Sequence, residues 1–124
     1  MKFTELGLHG VCLIEPDLFS DERGVFRRTF CAKELSEQGL ASTAVQGNIS
    51  ENPHKWTLRG FHYQVPPFEE AKTLLCVTGS LFDIVVDLRS KSPTFLEWVS
   101  VEFSAQDRCS LHVPAGCANA WLTT

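Results

Sequence analysis

Side chains that both donate and accept hydrogen bonds recur at two-residue intervals in two stretches of this chain: Gln46, Asn48 and Ser50, then His62 and Gln64. Further on comes Lys72, in phase with Leu74 and Cys76. Amide, imidazole and ammonium groups on one strand face can orient a polar small molecule. An imidazole, whose ordinary ionisation lies near pH 6.5, can also take up or release a proton at neutral pH. Alternation alone fits equally a sheet face turned to water, the common fate of the second face of an antiparallel sheet. Composition favours an enclosed pocket, because solvated strand faces are rich in Lys, Glu and Thr rather than in Gln, Asn and His.

Such side chains need strands to hold them, and the sequence supplies many short ones. Apolar stretches alternate with turn signals at Glu15-Pro16-Asp17, Asp21-Glu22-Arg23-Gly24, Glu51-Asn52-Pro53, Pro66-Pro67, Thr78-Gly79-Ser80, Ser92-Pro93 and Pro114-Ala115-Gly116. Residues 45–50 read as a strand with Gln46, Asn48 and Ser50 on one face and Val45 and Ile49 on the other. In residues 81–88, Phe82, Ile84, Val86 and Leu88 form an apolar face opposite Asp83, Val85 and Asp87. Only residues 32–39 look helical: they lack a β-branched residue and end on Gly39. The pattern predicts an all-β jelly-roll sandwich or barrel with at most one or two short helical turns, whose polar interior could hold one small molecule.

With 124 residues the chain makes a single domain, and 44% hydrophobic residues suffice for a core, which excludes intrinsic disorder. Eleven Lys and Arg against 15 Asp and Glu give a net charge of -4 without a basic stripe, so nucleic acid is a poor partner. Five scattered cysteines without a C-x-x-C pair argue for reduced thiols rather than a disulfide framework or zinc site. The N-terminal residues do not form a signal peptide, and no apolar run approaches the roughly 20 residues of a membrane helix. The expected location is the cytoplasm.

Two segments carry a more specific signal: residues 58–64 (Leu-Arg-Gly-Phe-His-Tyr-Gln) followed by Glu70-Ala71-Lys72, and residues 113–121 (Val-Pro-Ala-Gly-Cys-Ala-Asn-Ala-Trp). With residues 21–26, 46–50 and 82–89 they resemble, in order from about residue 10 to residue 124, the dTDP-4-dehydrorhamnose 3,5-epimerase family of the cupin superfamily. The resemblance implies a double-stranded β-helix that forms a homodimer, often by lending N-terminal strands to the partner's sheet. It also implies epimerisation of a nucleotide-linked 4-keto-6-deoxyhexose at C3, C5 or both, serving polysaccharide assembly.

Cupins often hold a metal through a His-x-His pair, a Glu and a later His. Here Gln64 stands at the second His position and Asn119 at the last, and neutral amides bring no charge, so we expect neither metal nor other cofactor. The implied chemistry then falls to side chains. Hydrogens on C3 and C5 are acidic because they flank the C4 carbonyl. By resemblance His62 is the base and Lys72 faces the developing O4 oxyanion. Arg59 and Arg23 match diphosphate-binding positions, and Gln46 and Asn48 match substrate contacts. Asp83, on the non-apolar face of its strand, is the candidate carboxylate for orienting His62.

The sequence departs from the family at Arg28, where dTDP-specific relatives commonly carry a Glu against the thymine, and at Asn119, where many carry a His that contacts substrate. It also ends before the portion in which the family carries its general-acid Tyr and His-orienting Asp. The expectation is one domain, residues 1–124, without the family's C-terminal portion. The one tyrosine, Tyr63, adjoins His62 and would point away from it in a regular strand. These departures motivate a rival reading, a catalytically silent cupin that binds nucleotide sugars; a metal-dependent cupin oxygenase is weakened by the lost ligands. His9, His54 and His112 carry no partner pattern, and Trp56, Trp98 and Trp121 are read as core or interface residues.

Overall fold

The computed structural model describes all of residues 1–124. Two four-stranded antiparallel sheets make the molecule. One contains β1 (Lys2–Glu5), β2 (Cys12–Glu15), β9 (Ser110–Val113) and β6 (Lys72–Leu75) in that order. The other contains β5 (Leu58–His62), β10 (Cys117–Thr123), β7 (Ser80–Asp87) and β8 (Trp98–Ser104). A separate hairpin pairs β3 (Leu18–Asp21) with β4 (Gly24–Arg27). Neighbours in each sheet are mostly distant in sequence, the signature of a jelly roll rather than a meander.

The sheets close on an apolar core contributed by both: Leu111 and Val113 from β9 and Cys76 beyond β6 meet Val85 of β7, Phe103 of β8 and Cys117 of β10, with Leu8, Val11 and Cys109 filling the ends. Small apolar cysteines, all unpaired, do much of this filling. On β7 the inward face is Asp83, Val85 and Asp87, while Phe82, Ile84 and Val86 are only half-buried. The face bearing carboxylates is therefore the one turned into the sandwich.

Asp87 is buried because it is satisfied. It accepts bonds from Arg89 N, Nε and Nη2, Ser92 Oγ and Thr94 Oγ1 at 2.6–2.9 Å, which hold its carboxyl far below the usual range against the cost of burial.

The single helix, α1 (Ala32–Glu37), matches the sequence expectation. It ends where Gly39 takes φ 71°, with Gly39 N bonded to Ser36 O and Leu40 N to Leu35 O, both at 3.0 Å, the paired bonds of a Schellman cap. The strand expected over residues 45–50 does not form. Residues 41–53 are irregular, with Val45 and Ile49 exposed. A strand exists only where a neighbouring backbone supplies its ladder, and no element of this chain lies alongside.

Candidate active site

β5 and β10 build the site through an irregular register. Asn119 pairs with His62 and Trp121 with Arg59, so three steps on β5 match two on β10. The extra residue is a bulge, and Gly60 sits in it at φ 130°, its α-carbon so close to β10 that a Cβ would lie 2.6 Å from Ala120 Cα. On the other side of β10, Asn119 pairs with Val85 and Trp121 with Asp83, all turned inward. Regular alternation would put Arg59 and His62 on opposite faces; the bulge sets both opposite inward residues.

Lys72 comes from the other sheet. It pairs with the core residue Val113, so its side chain points between the sheets, where Nζ donates to the His62 carbonyl oxygen at 3.0 Å. The bond reaches the main chain of His62 rather than its imidazole, so Lys72 approaches this exposed residue of β5 from a strand of the other sheet. The imidazole itself lies against Trp121, ring centroids 4.8 Å apart and planes inclined by 32°. Trp121 was expected only to pack. Its position two residues after Asn119 was the available signal, because period-two spacing puts both on one face.

Beneath this surface Asn119 Nδ2 donates to Asp83 Oδ2 at 3.3 Å, with Asp83 1% and Asn119 0% exposed. Burial pushes the Asp83 carboxyl up to about 7, against the opposing pull of the Asn119 bond and the Lys72 charge. The expectation that Asp83 orients His62 is corrected by this geometry. Asp83 is opposite Trp121 and His62 opposite Asn119, two residues away on β10, and the carboxyl bonds the amide rather than the imidazole.

The other expected residues divide into two groups. Arg59 Nε donates to Asn52 Oδ1 at 2.5 Å, and Gln46 Nε2 to Asn48 Oδ1 at 3.3 Å, in the irregular segment before β5. Arg23 and Arg28 are not brought to His62. Arg23 folds onto Asp21 of its own hairpin, with Nε 3.0 Å from Oδ2, and Arg28 pairs with Glu34 of α1 at 2.7 Å. Gln64 falls beyond the end of β5. His112 is buried on the face of β9 away from Lys72, its Nδ1 3.1 Å from Thr73 Oγ1.

Two face-to-face jelly-roll sheets, with the Lys72 ammonium and the Asp83–Asn119 pair between them and His62 on the exposed strand β5, define a cupin. The sequence profile of dTDP-4-dehydrorhamnose 3,5-epimerase matches residues 5–124, and the chain belongs to that family. It is 42% identical over 122 residues to the dTDP-4-dehydrorhamnose 3,5-epimerase of Shigella flexneri, an alignment covering 98% of this chain and 67% of the relative. The crystal structure of dTDP-4-dehydrorhamnose 3,5-epimerase from Elizabethkingia anophelis NUHP1 superposes with a TM-score of 0.95 at 36% identity, covering 99% of this chain and 67% of that one. The Legionella pneumophila Philadelphia 1 enzyme RmlC, solved in complex with dTDP-4-keto-L-rhamnose, gives 0.88 at 33% identity over 98% of this chain and 64% of that one. The chain thus spans about two thirds of the length of these relatives. All three are sugar epimerases, which weighs against the silent binder.

Proposed function

We propose that this chain carries the epimerase chemistry of its family: inversion at C3, C5 or both of a dTDP-linked 4-keto-6-deoxyhexose. His62 removes the proton next to the C4 carbonyl, and the C–H electron pair moves into the ring to form an enolate with its negative charge on O4. The Lys72 ammonium balances that charge. A solvent water on the opposite face donates a proton to the same carbon as the electrons flow back from O4. The proton held by His62 passes to the hydroxide left in solvent, which completes the inversion. Arg59 holds the diphosphate, Gln46 and Asn48 contact the nucleotide sugar, and Asn119, wholly buried, supports the floor of the site through Asp83. Asp83, beneath Asn119, tunes the field at Lys72. The observation that carries the reading is the 3.0 Å bond from Lys72 Nζ to the main-chain carbonyl of His62, which brings the ammonium from the other sheet to the residue that bears the imidazole.

A homodimer completes the proposal. The chain exposes 8222 Å², against about 6,700 Å² for a compact monomer of this mass, and its hairpin leaves Leu18, Phe19, Val25 and Phe26 uncovered. Arg23 and Arg28 would then serve the site of the partner copy, consistent with the β3–β4 hairpin standing apart from both sheets. No helix is long and apolar enough to cross a membrane, and the unpaired cysteines suit the reducing cytoplasm.

The test is proton exchange. Incubated with dTDP-4-keto-6-deoxyglucose in D2O, the protein should introduce deuterium at C3, C5 or both, followed by NMR, and His62→Ala should abolish it. Folded wild-type protein that exchanges no faster than buffer would refute the reading and leave a nucleotide-sugar binder.

A further inference from the structure

Arg59 has no carboxylate partner: its guanidinium is absent from every ion pair of the chain, and the group that holds it is the neutral amide of Asn52. The Asn52 oxygen takes Nε at 2.5 Å, while the Asn52 nitrogen faces the Ser50 carbonyl and Ser50 Oγ, each at 3.4 Å. This divides the guanidinium. With Nε engaged, the edge formed by Nη1 and Nη2 is left as a planar two-pronged donor, the shape that matches two oxygens of a phosphate. A carboxylate at the same place would bind Nε equally well but would cancel the positive charge on which anion capture depends.

We propose that Asn52 is a positioning residue for phosphate recognition, fixing the Arg59 fork in place while leaving its charge uncompensated. The inference rests on the reading of Arg59 as the diphosphate anchor and deepens it. Asn52 also ties the segment bearing Gln46 and Asn48 to the strand bearing Arg59 and His62, so the nucleotide and sugar ends of a ligand meet side chains held in one register.

Two variants separate orientation from charge. Asn52→Ala removes the acceptor and adds no charge; Asn52→Asp keeps the acceptor and adds one negative charge. Binding of dTDP and of inorganic pyrophosphate is measured by calorimetry at two salt concentrations, and deuterium exchange supplies kcat and KM. Asn52→Asp should weaken both ligands by about tenfold or more, the worth of one charge-assisted contact, and flatten the salt dependence. Asn52→Ala should weaken them less and keep the salt dependence. In both, the loss should fall on KM rather than kcat.

Wild-type affinity in both folded variants, or a loss confined to kcat, would overturn the inference. The binding measurements need no turnover, so they stand even if wild-type protein fails to exchange deuterium. That failure would remove the epimerase reading alone.

Discussion

Asn119 and Asp83 are bonded to each other, Nδ2 to Oδ2 at 3.3 Å, and the remaining side-chain oxygen of each, Oδ1, is buried without a partner in the chain. Unpartnered buried acceptors of this kind cost about 1–3 kcal/mol each, which a folding domain tolerates where function demands it. A pair so placed, on the strands that carry Trp121 and within the field of Lys72, makes the floor of the site pH-sensitive.

Asp83 should make stability fall as pH rises. The carboxyl ionises near 3.8 when free and near about 7 in the fold, so between those values the folded chain keeps a proton that the unfolded chain has lost. Its stabilising effect is complete below about pH 4 and is lost as pH climbs through 7. Asp83→Asn should be more stable than wild type at pH 8, by up to about 4 kcal/mol, and close to it at pH 4. Urea melts at the two pH values measure this; an equal difference at both would contradict it.

His112 acts on the opposite flank. Burial lowers the pKa of its imidazole, so its contribution to stability is complete above about pH 6.5 and declines as acidification forces a charge into the sheet. Replacing it by Gln, which can still bond Thr73, should remove this acid loss, so that on going from pH 7 to pH 5 the urea-melt midpoint of the variant shifts upward relative to that of wild type. A variant as acid-sensitive as wild type over that interval would assign the effect elsewhere.

Lys72→Ala should lower the exchange rate by about 100- to 1,000-fold, the usual loss on removing one oxyanion donor, with a smaller change in KM. Steady-state exchange kinetics provide the split. A change in KM alone would make Lys72 a binding group.

Gly60→Ala should harm both halves of the site together. Its φ of 130° disfavours a side chain, and the added methyl would lie 2.6 Å from Ala120 Cα and 2.9 Å from the Asn119 carbonyl oxygen. The cost should exceed about 1 kcal/mol, and displacement of β5 should weaken dTDP binding through Arg59 and slow exchange through His62. Near-normal melting and kinetics would mean that β5 does not need this approach.

Much of this was legible in the residues alone. Alternation along residues 81–88 separated Asp83 from the apolar face, the phase of Lys72 with Leu74 put it between the sheets, and the run ending at Gly39 announced the one helix with its cap. Family resemblance rested on the same residues, because a site built on strands writes its side chains into the chain at short, regular intervals.

Other features depended on contacts between segments remote in sequence. Period-two reading puts Arg59 and His62 on opposite faces; the bulge against β10 reverses that, and it exists only because Gly60 lets two backbones approach. The same reading makes a strand of residues 45–50, which lack a neighbouring edge in this chain. The partner of Asp83 was likewise decided by register between β7, β10 and β5, since strand pairing chooses which side chain stands opposite which, whereas the order of residues along one strand states only which of them share a side.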